Sequence, residues 1–165
     1  MTIDYRLLSP TDTPILWEML MYAAHEPSIK AVQQNPELAR YSLNWGRPGD
    51  MGILAQTLTQ PVGAAWLRLW SDSEKGYGYV DAETPELAIA VAPNYRGQGV
   101  GTQLLEKVLA QARPHYTTVS LSVREDNPVL RLYLRLGFVK VPNSDVSNRT
   151  GSTSFTMVYA TNLEF

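Results

Sequence analysis

The sequence predicts an α/β fold, and three observations predict it. Leu87, Ile89 and Val91 alternate with Glu86, Ala88 and Ala90, the period of a strand. Val100, Leu104, Leu105, Val108 and Leu109 then recur at helical spacing. The same strand-to-helix change repeats further on: Val119, Leu121 and Val123 alternate, and Leu130, Tyr133 and Leu134 fall on one helical face. Finally, 165 residues with 44% hydrophobic content can bury a sizeable core, which predicts one domain over residues 1–165 and argues against disorder.

In chain order, Thr2 to Leu8 reads as a strand through Ile3, Tyr5 and Leu7. Ser9-Pro10-Thr11-Asp12 reads as a turn and helix cap. A helix is expected to about Ala24, with Leu16, Leu20 and Ala24 on one face. A short second helix is expected around Pro36 to Leu43, after a break at Glu26-Pro27-Ser28. Trp45-Gly46-Arg47-Pro48-Gly49-Asp50 is rich in turn formers. It reads as a structural loop with Arg47 and Asp50 paired, or as a segment that meets substrate. Met51 to Leu58 and Pro61 to Trp70 read as two strands, with Trp66 and Trp70 on one face of the second.

Ser71 to Thr84 is a polar loop or extended hairpin. Its Asp72, Glu74, Asp81 and Glu83 face one Lys75, a balance that suits either a solvated loop or attraction of a cationic amine. Pro93-Asn94 breaks the next strand, and Arg113 to Tyr116 closes the long helix. Asn127 is read as an N-cap with Pro128 at the first helical position, and Gly137 as the stop. Pro142 to Gly151 is a polar loop, and Ser154 to Ala160 a last strand. The sum is a mixed central sheet of about seven strands flanked by about four helices.

Composition narrows the function. A net charge of −2 gives no basic footprint for nucleic acid. No apolar run approaches the ~20 residues of a membrane span. No signal peptide is visible, and the absence of cysteine suits a cytoplasmic protein. With no cysteine there is no disulfide, no thiolate ligand and no covalent cysteine intermediate. Two histidines, His25 and His115, lie outside the motifs below, and no metal site is expected.

Chemistry concentrates at Arg96-Gly97-Gln98-Gly99-Val100-Gly101-Thr102. Glycines let the backbone come close to a ligand, and the first N–H groups of the following helix have no internal partner. Such a place binds phosphate, and Arg96 adds a cation. A P-loop would need a lysine after the last glycine, and none is present. A dinucleotide fingerprint fails at Thr102, or at Leu104 if counted from Gly99, although Glu125 imitates the ribose-binding acid.

Arg96-x-x-Gly99-x-Gly101 resembles the pyrophosphate motif of the GNAT N-acetyltransferase superfamily. The run Leu132-Tyr133-Leu134-Arg135-Leu136-Gly137-Phe138, after Asn127, resembles that superfamily's second motif. Layout is similar over nearly the whole chain, whereas the specific motifs cover Glu86 to Val141.

The resemblance implies an acetyl-CoA-dependent transferase that moves acetyl directly to a primary amine of a small molecule or peptide. It implies cofactor contacts from Ile89, Ala90 and Val91, whose backbone N–H groups would hold the thioester oxygen. It implies further contacts from Arg96, Gly97, Gln98, Gly99, Val100, Gly101, Thr102, Asn127 and Tyr133. Tyr133 would be the general acid and Glu86 the base. Glu86 read alone also fits a strand cap or an arginine partner, and Tyr133 a core tyrosine. Homodimers are common in the superfamily. Two other classes stay open: a CoA-binding sensor or partner-binding module without activity, and a dinucleotide-dependent oxidoreductase.

Overall fold

The computed structural model describes residues 2–161. Among them are eight strands and five α-helices. The strands are β1 (Asp4–Leu7), β2 (Met51–Gln56), β3 (Pro61–Arg68), β4 (Glu86–Val91), β5 (Thr118–Arg124), β6 (Val139–Lys140), β7 (Val146–Ser147) and β8 (Thr153–Ala160). The helices are α1 (Thr13–Ala23), α2 (Ile29–Gln33), α3 (Pro36–Ala39), α4 (Val100–Ala112) and α5 (Leu130–Leu136). The chain divides into two compact units: Met1–Arg68 with Leu87–Gln111, and Leu69–Glu86 with Ala112–Phe165.

In the first unit, β1, β2 and β3 form an antiparallel meander. Asp4 pairs with Gln56, and Met51 with Leu67. Leu54, Ala64, Ala65 and Leu67 are fully buried, so these strands are covered rather than half-exposed. Leu16, Met19 and Leu20 form the inward stripe of α1. On α4, Val100, Leu104, Leu105, Val108 and Leu109 are all buried, the face their spacing requires.

Two local readings change. The helix expected around Pro36 to Leu43 is present but shorter, Pro36–Ala39, and a further short helix, α2, precedes it. Ser28 starts α2 by accepting from Ala31 N at 3.1 Å, and Asn35 starts α3 by accepting from Glu37 N at 3.1 Å. Thus the break at Glu26-Pro27-Ser28 ends one helix and also begins the next. Trp70 lies beyond the end of β3, so it does not share a strand face with Trp66. Trp66 is a core residue that donates its indole N–H to Tyr41 O at 2.9 Å.

Asp12 ties β1 to the turn before α1. It accepts two hydrogen bonds from Arg6 at 2.8 Å and one from Ser9 N at 2.7 Å. The Arg6 bonds, then the Ser9 backbone bond, hold its carboxyl below the usual aspartate range against the opposing effect of burial. A depressed folded pKa stabilises the fold above the unfolded value near ~3.9, and that share is lost as pH falls through the folded value. Arg6 is partly exposed, so solvent screening limits the pair to about 1 kcal/mol. Asp12→Asn is therefore expected to lose about that much stability at pH 7 and almost nothing at pH 2, read by urea unfolding at both pH values.

In the second unit, β5 and β8 pair antiparallel from Thr118↔Ala160 to Arg124↔Ser154. The short strands β6 and β7 both add to β8. The second of these falls inside the polar loop expected from Pro142 to Gly151, and periodicity over two residues cannot reveal it. Glu86 takes parallel register with Ser120 of β5. Gly137 ends α5 at φ 113°, with its N–H on Leu134 O and Phe138 N–H on Tyr133 O, as expected of a helix stop. The start of α5 differs from expectation. Asn127 closes a turn on Val129 N at 3.0 Å, and the helix begins at Leu130. Leu134 is exposed, so the face that α5 buries centres on Tyr133.

Candidate functional site

In the first unit the predicted phosphate loop is built as a loop feeding a helix. Pro93–Tyr95 forms a single 3-10 turn after β4, and α4 begins at Val100. Gly97 and Gly99 sit at φ 75° and 84°, the left-handed region where a side chain is strained. A Cβ built on either one would meet nothing within 4 Å. These glycines are therefore not required by packing. They set a backbone path and keep its outer side bare.

The first internal bond of the helix is Gln103 N–H to Gly99 O at 3.1 Å, so the N–H groups just before it belong to the unpaired first turn. Arg96 is anchored by Nε on Val91 O at 3.0 Å, and Gln98 by its amide on Asn94 O at 3.3 Å. Ile89 and Val91 of β4 are half-buried and Ala90 is buried. Ile89 to Val91 and Arg96 to Thr102 thus lie together along one strand–turn–helix passage. A bare glycine turn, the unpaired N–H groups of a first helical turn and a guanidinium could together hold a phosphate group.

The second unit holds Glu86, Asn127 and Tyr133. Glu86 is 3% exposed, although its strand period placed it opposite the apolar residues. Its Oε1 accepts from the indole N–H of Trp70 at 2.9 Å, and that indole is also buried. The loop from Ser71 to Thr84 runs against this pair at Gly76 and Gly78. Its acids are partly engaged within the loop, Asp72 accepting from Tyr79 Oη and Asp81 from Glu83 N.

Tyr133 is 5% exposed and packs on Phe138 with ring centroids 5.6 Å apart. Burial alone pushes its phenol far above the ordinary tyrosine value, so the proton stays on across the physiological range. His25 sits in the turn after α1 at φ 55°, and His115 lies beside Tyr116. No cluster of three metal-ligating side chains occurs among the described residues. No described helix is long and apolar enough to cross a membrane. A surface pocket lined by Asp4 and residues 56–61 contains none of the predicted site residues.

The turn expected at residues 45–50 is structural at its core, and Arg47 and Asp50 do pair there, Asp50 N–H donating to Arg47 O at 3.0 Å. Asp50 accepts from Gly46 N and Arg47 N, but its ion-pair partner is Arg68 at 2.8 Å. Sequence reasoning missed this pair, and it missed Trp70 as the partner of Glu86. A G-x-G at Gly76 and Gly78 inside a polar loop was the available signal for the second.

The acetyltransferase (GNAT) family model matches residues 16–138, a span that includes both the glycine loop and Tyr133. The chain belongs to the acetyltransferase (GNAT) family. Among curated relatives, this GNAT chain is 40% identical over 53 residues to a mycothiol acetyltransferase from Acidothermus cellulolyticus, 27% of this chain and 16% of that protein. It is 38% identical over 56 residues to an L-2,4-diaminobutyric acid acetyltransferase from Nocardia farcinica, 31% of this chain and 29% of that protein. The match thus spans less than a third of either relative. Over the full fold it is similar to a putative acetyltransferase from Salmonella typhimurium solved with acetyl-CoA. That likeness has a TM-score of 0.74 at 19% identity and covers 100% of this chain and 97% of the other.

Proposed function

We propose that this GNAT-family chain is an acetyl-CoA-dependent N-acetyltransferase acting on a primary amine of a small molecule or peptide. The observation that carries the proposal is the loop at residues 96–102, where two left-handed glycines with bare outer sides lead into the first turn of α4. The family match and the acetyl-CoA-bound structural neighbour support it.

Acetyl-CoA, when bound, supplies an acyl group as a thioester. The N–H groups from Gly97 to Thr102 hold its pyrophosphate, and Arg96 adds charge that no physiological pH removes. Backbone N–H groups of Ile89 to Val91 hold the negative charge that develops on the carbonyl oxygen. Glu86 takes the proton of the acceptor ammonium, because an alkyl amine with pKa near ~10 arrives protonated. Tyr133 keeps its proton until the thiolate leaves and then donates it. Asn127 shapes the turn before α5 and contacts the pantetheine arm. The reaction needs no covalent enzyme intermediate, which suits a chain without cysteine.

The diaminobutyrate-acting relative favours amines that carry a second charge, and the acids at 72–83 favour the same class. A homodimer within a cytoplasmic setting completes the proposal. The test is acetyl-CoA turnover with L-2,4-diaminobutyrate, a polyamine and an N-terminal peptide as acceptors. Tyr133→Phe is expected to lower kcat about 10²-fold with unchanged acetyl-CoA affinity, because only the hydroxyl is lost and the ring still packs on Phe138. An unchanged kcat would remove Tyr133 from the mechanism. Binding of acetyl-CoA without turnover of any amine would favour the silent CoA-binding module.

A further inference from the structure

We propose that Trp70 is a positioning residue for Glu86, and that Gly76 and Gly78 are glycines so that the loop backbone can press onto this pair. The proposal rests on the reading of Glu86 as the base and names what holds that base in place.

Trp70 follows the end of β3 by two residues, and β4 begins with Glu86. Both side chains are 3% exposed, and the indole N–H donates to Oε1 at 2.9 Å. A buried carboxylate needs donors, since desolvation disfavours its charged form. The kind of donor matters for a base. A lysine or arginine would favour the charge so strongly that proton affinity would fall. An indole N–H is a donor only, carries no formal charge and gives up no proton in the working range. It fixes the orientation of the carboxylate without adding a charge of its own.

The glycines tell the same story. Neither Gly76 nor Gly78 has a positive φ, so backbone conformation does not require glycine at either position. Space does. A Cβ at Gly76 would collide with Glu86 Oε1 and lie 2.5 Å from Trp70 Nε1 and 2.7 Å from Trp70 Cε2. A Cβ at Gly78 would lie 3.0 Å from Glu86 Cδ, 2.7 Å from the Leu121 carbonyl carbon and 2.9 Å from Ser122 N. Real Cβ atoms do not tolerate the shorter of these contacts, and most of the neighbours cannot move cheaply. The loop therefore clamps the hydrogen-bonded pair from one side with bare backbone.

Two readouts test the proposal, one of which needs no acceptor. Protein labelled with ¹⁵N gives four indole N–H signals, one for each tryptophan, and Trp70→Phe identifies that of Trp70. The Trp70 signal is expected to shift in Glu86→Gln more than the other three. A Trp70 signal that stays in place overturns the proposal.

The second readout is a kinetic cycle with L-2,4-diaminobutyrate, or whichever panel amine turns over. Trp70→Phe is expected to lower kcat about tenfold with KM for acetyl-CoA unchanged, and to cost nothing further in a Glu86→Gln background. Losses that multiply in the double variant overturn the positioning role, because a structural tryptophan would act independently of residue 86. If Glu86→Gln lowers kcat and Trp70→Phe does not, the base reading stands and this proposal alone falls. If Glu86→Gln leaves kcat unchanged, the base reading falls and takes the proposal with it, while acetyl-CoA binding stays intact.

Discussion

Asp50→Ala lowers the stability of the chain by about 3–5 kcal/mol, the usual result of removing one partner from a buried ion pair. The reason lies in what is left behind. Arg68 on β3 is 1% exposed, and four hydrogen bonds hold its guanidinium. Nε and one terminal nitrogen donate to Asp50 Oδ1 and Oδ2 at 3.1 and 2.8 Å. The other terminal nitrogen donates to Arg40 O at 2.8 Å and to Leu43 O at 2.6 Å. The Trp45 ring lies 5.5 Å from the guanidinium carbon.

Without Asp50, a charge that cannot deprotonate stays buried with two carbonyls and no anion. The Gly46 and Arg47 N–H groups lose their acceptor as well. For a chain of this size the loss corresponds to roughly ten degrees of Tm. Asp50→Asn keeps an acceptor oxygen and should cost less. Arg68→Met combined with Asp50→Leu should cost less than either single change, since no charge is then stranded. Thermal melts of these variants check this, and a loss below about 1 kcal/mol for Asp50→Ala would refute the account of the turn at 45–50.

The second large effect concerns binding rather than stability. Gly99→Glu is expected to weaken acetyl-CoA binding at least 100-fold, while its fold loses only about 1–2 kcal/mol from forcing a side-chain residue into the left-handed region. The two consequences separate because a Cβ at Gly99 touches no protein atom, so the substitution disturbs little packing. What it disturbs is the bare side of the turn, where it places bulk and a negative charge against a negative ligand. Gly99→Ala carries the same backbone strain without the charge and should fall between. Calorimetric titration with acetyl-CoA beside thermal melts reads both quantities. Undiminished binding by a folded Gly99→Glu protein would place the pyrophosphate elsewhere.

The parts of this molecule legible in its sequence are those encoded locally. Strand period, glycine turn and helix stripe at residues 86–109 lie within one short run, so β4, the loop and α4 follow from reading neighbours. Gly137 is legible for the same reason, because a helix stop is a local event.

The misreadings involve distance or short length. Trp70 with Glu86, and Asp50 with Arg68, are pairs 16 and 18 residues apart. Hydropathy assigns each charged member of those pairs to solvent, whereas the fold buries both pairs, and only tertiary structure could supply their partners. Leu134 fits the stripe with Tyr133 by spacing but faces solvent, since a seven-residue helix buries a narrow face. Asn127 carries the right residue type for a cap and spends it on the turn before the helix instead, a competition that asparagine's reach to nearby N–H groups invites. Of the candidate site, the glycine turn and the helix that follows it were readable from sequence. The setting of Glu86 between an indole and two glycines was not.

The most direct test of the central claim is calorimetric titration of the purified protein with acetyl-CoA, with NADH as the control ligand. The account predicts saturable binding of acetyl-CoA in the micromolar range and no heat with NADH. Absence of acetyl-CoA binding by folded protein would contradict it, leaving a GNAT fold whose glycine loop serves something other than acyl transfer.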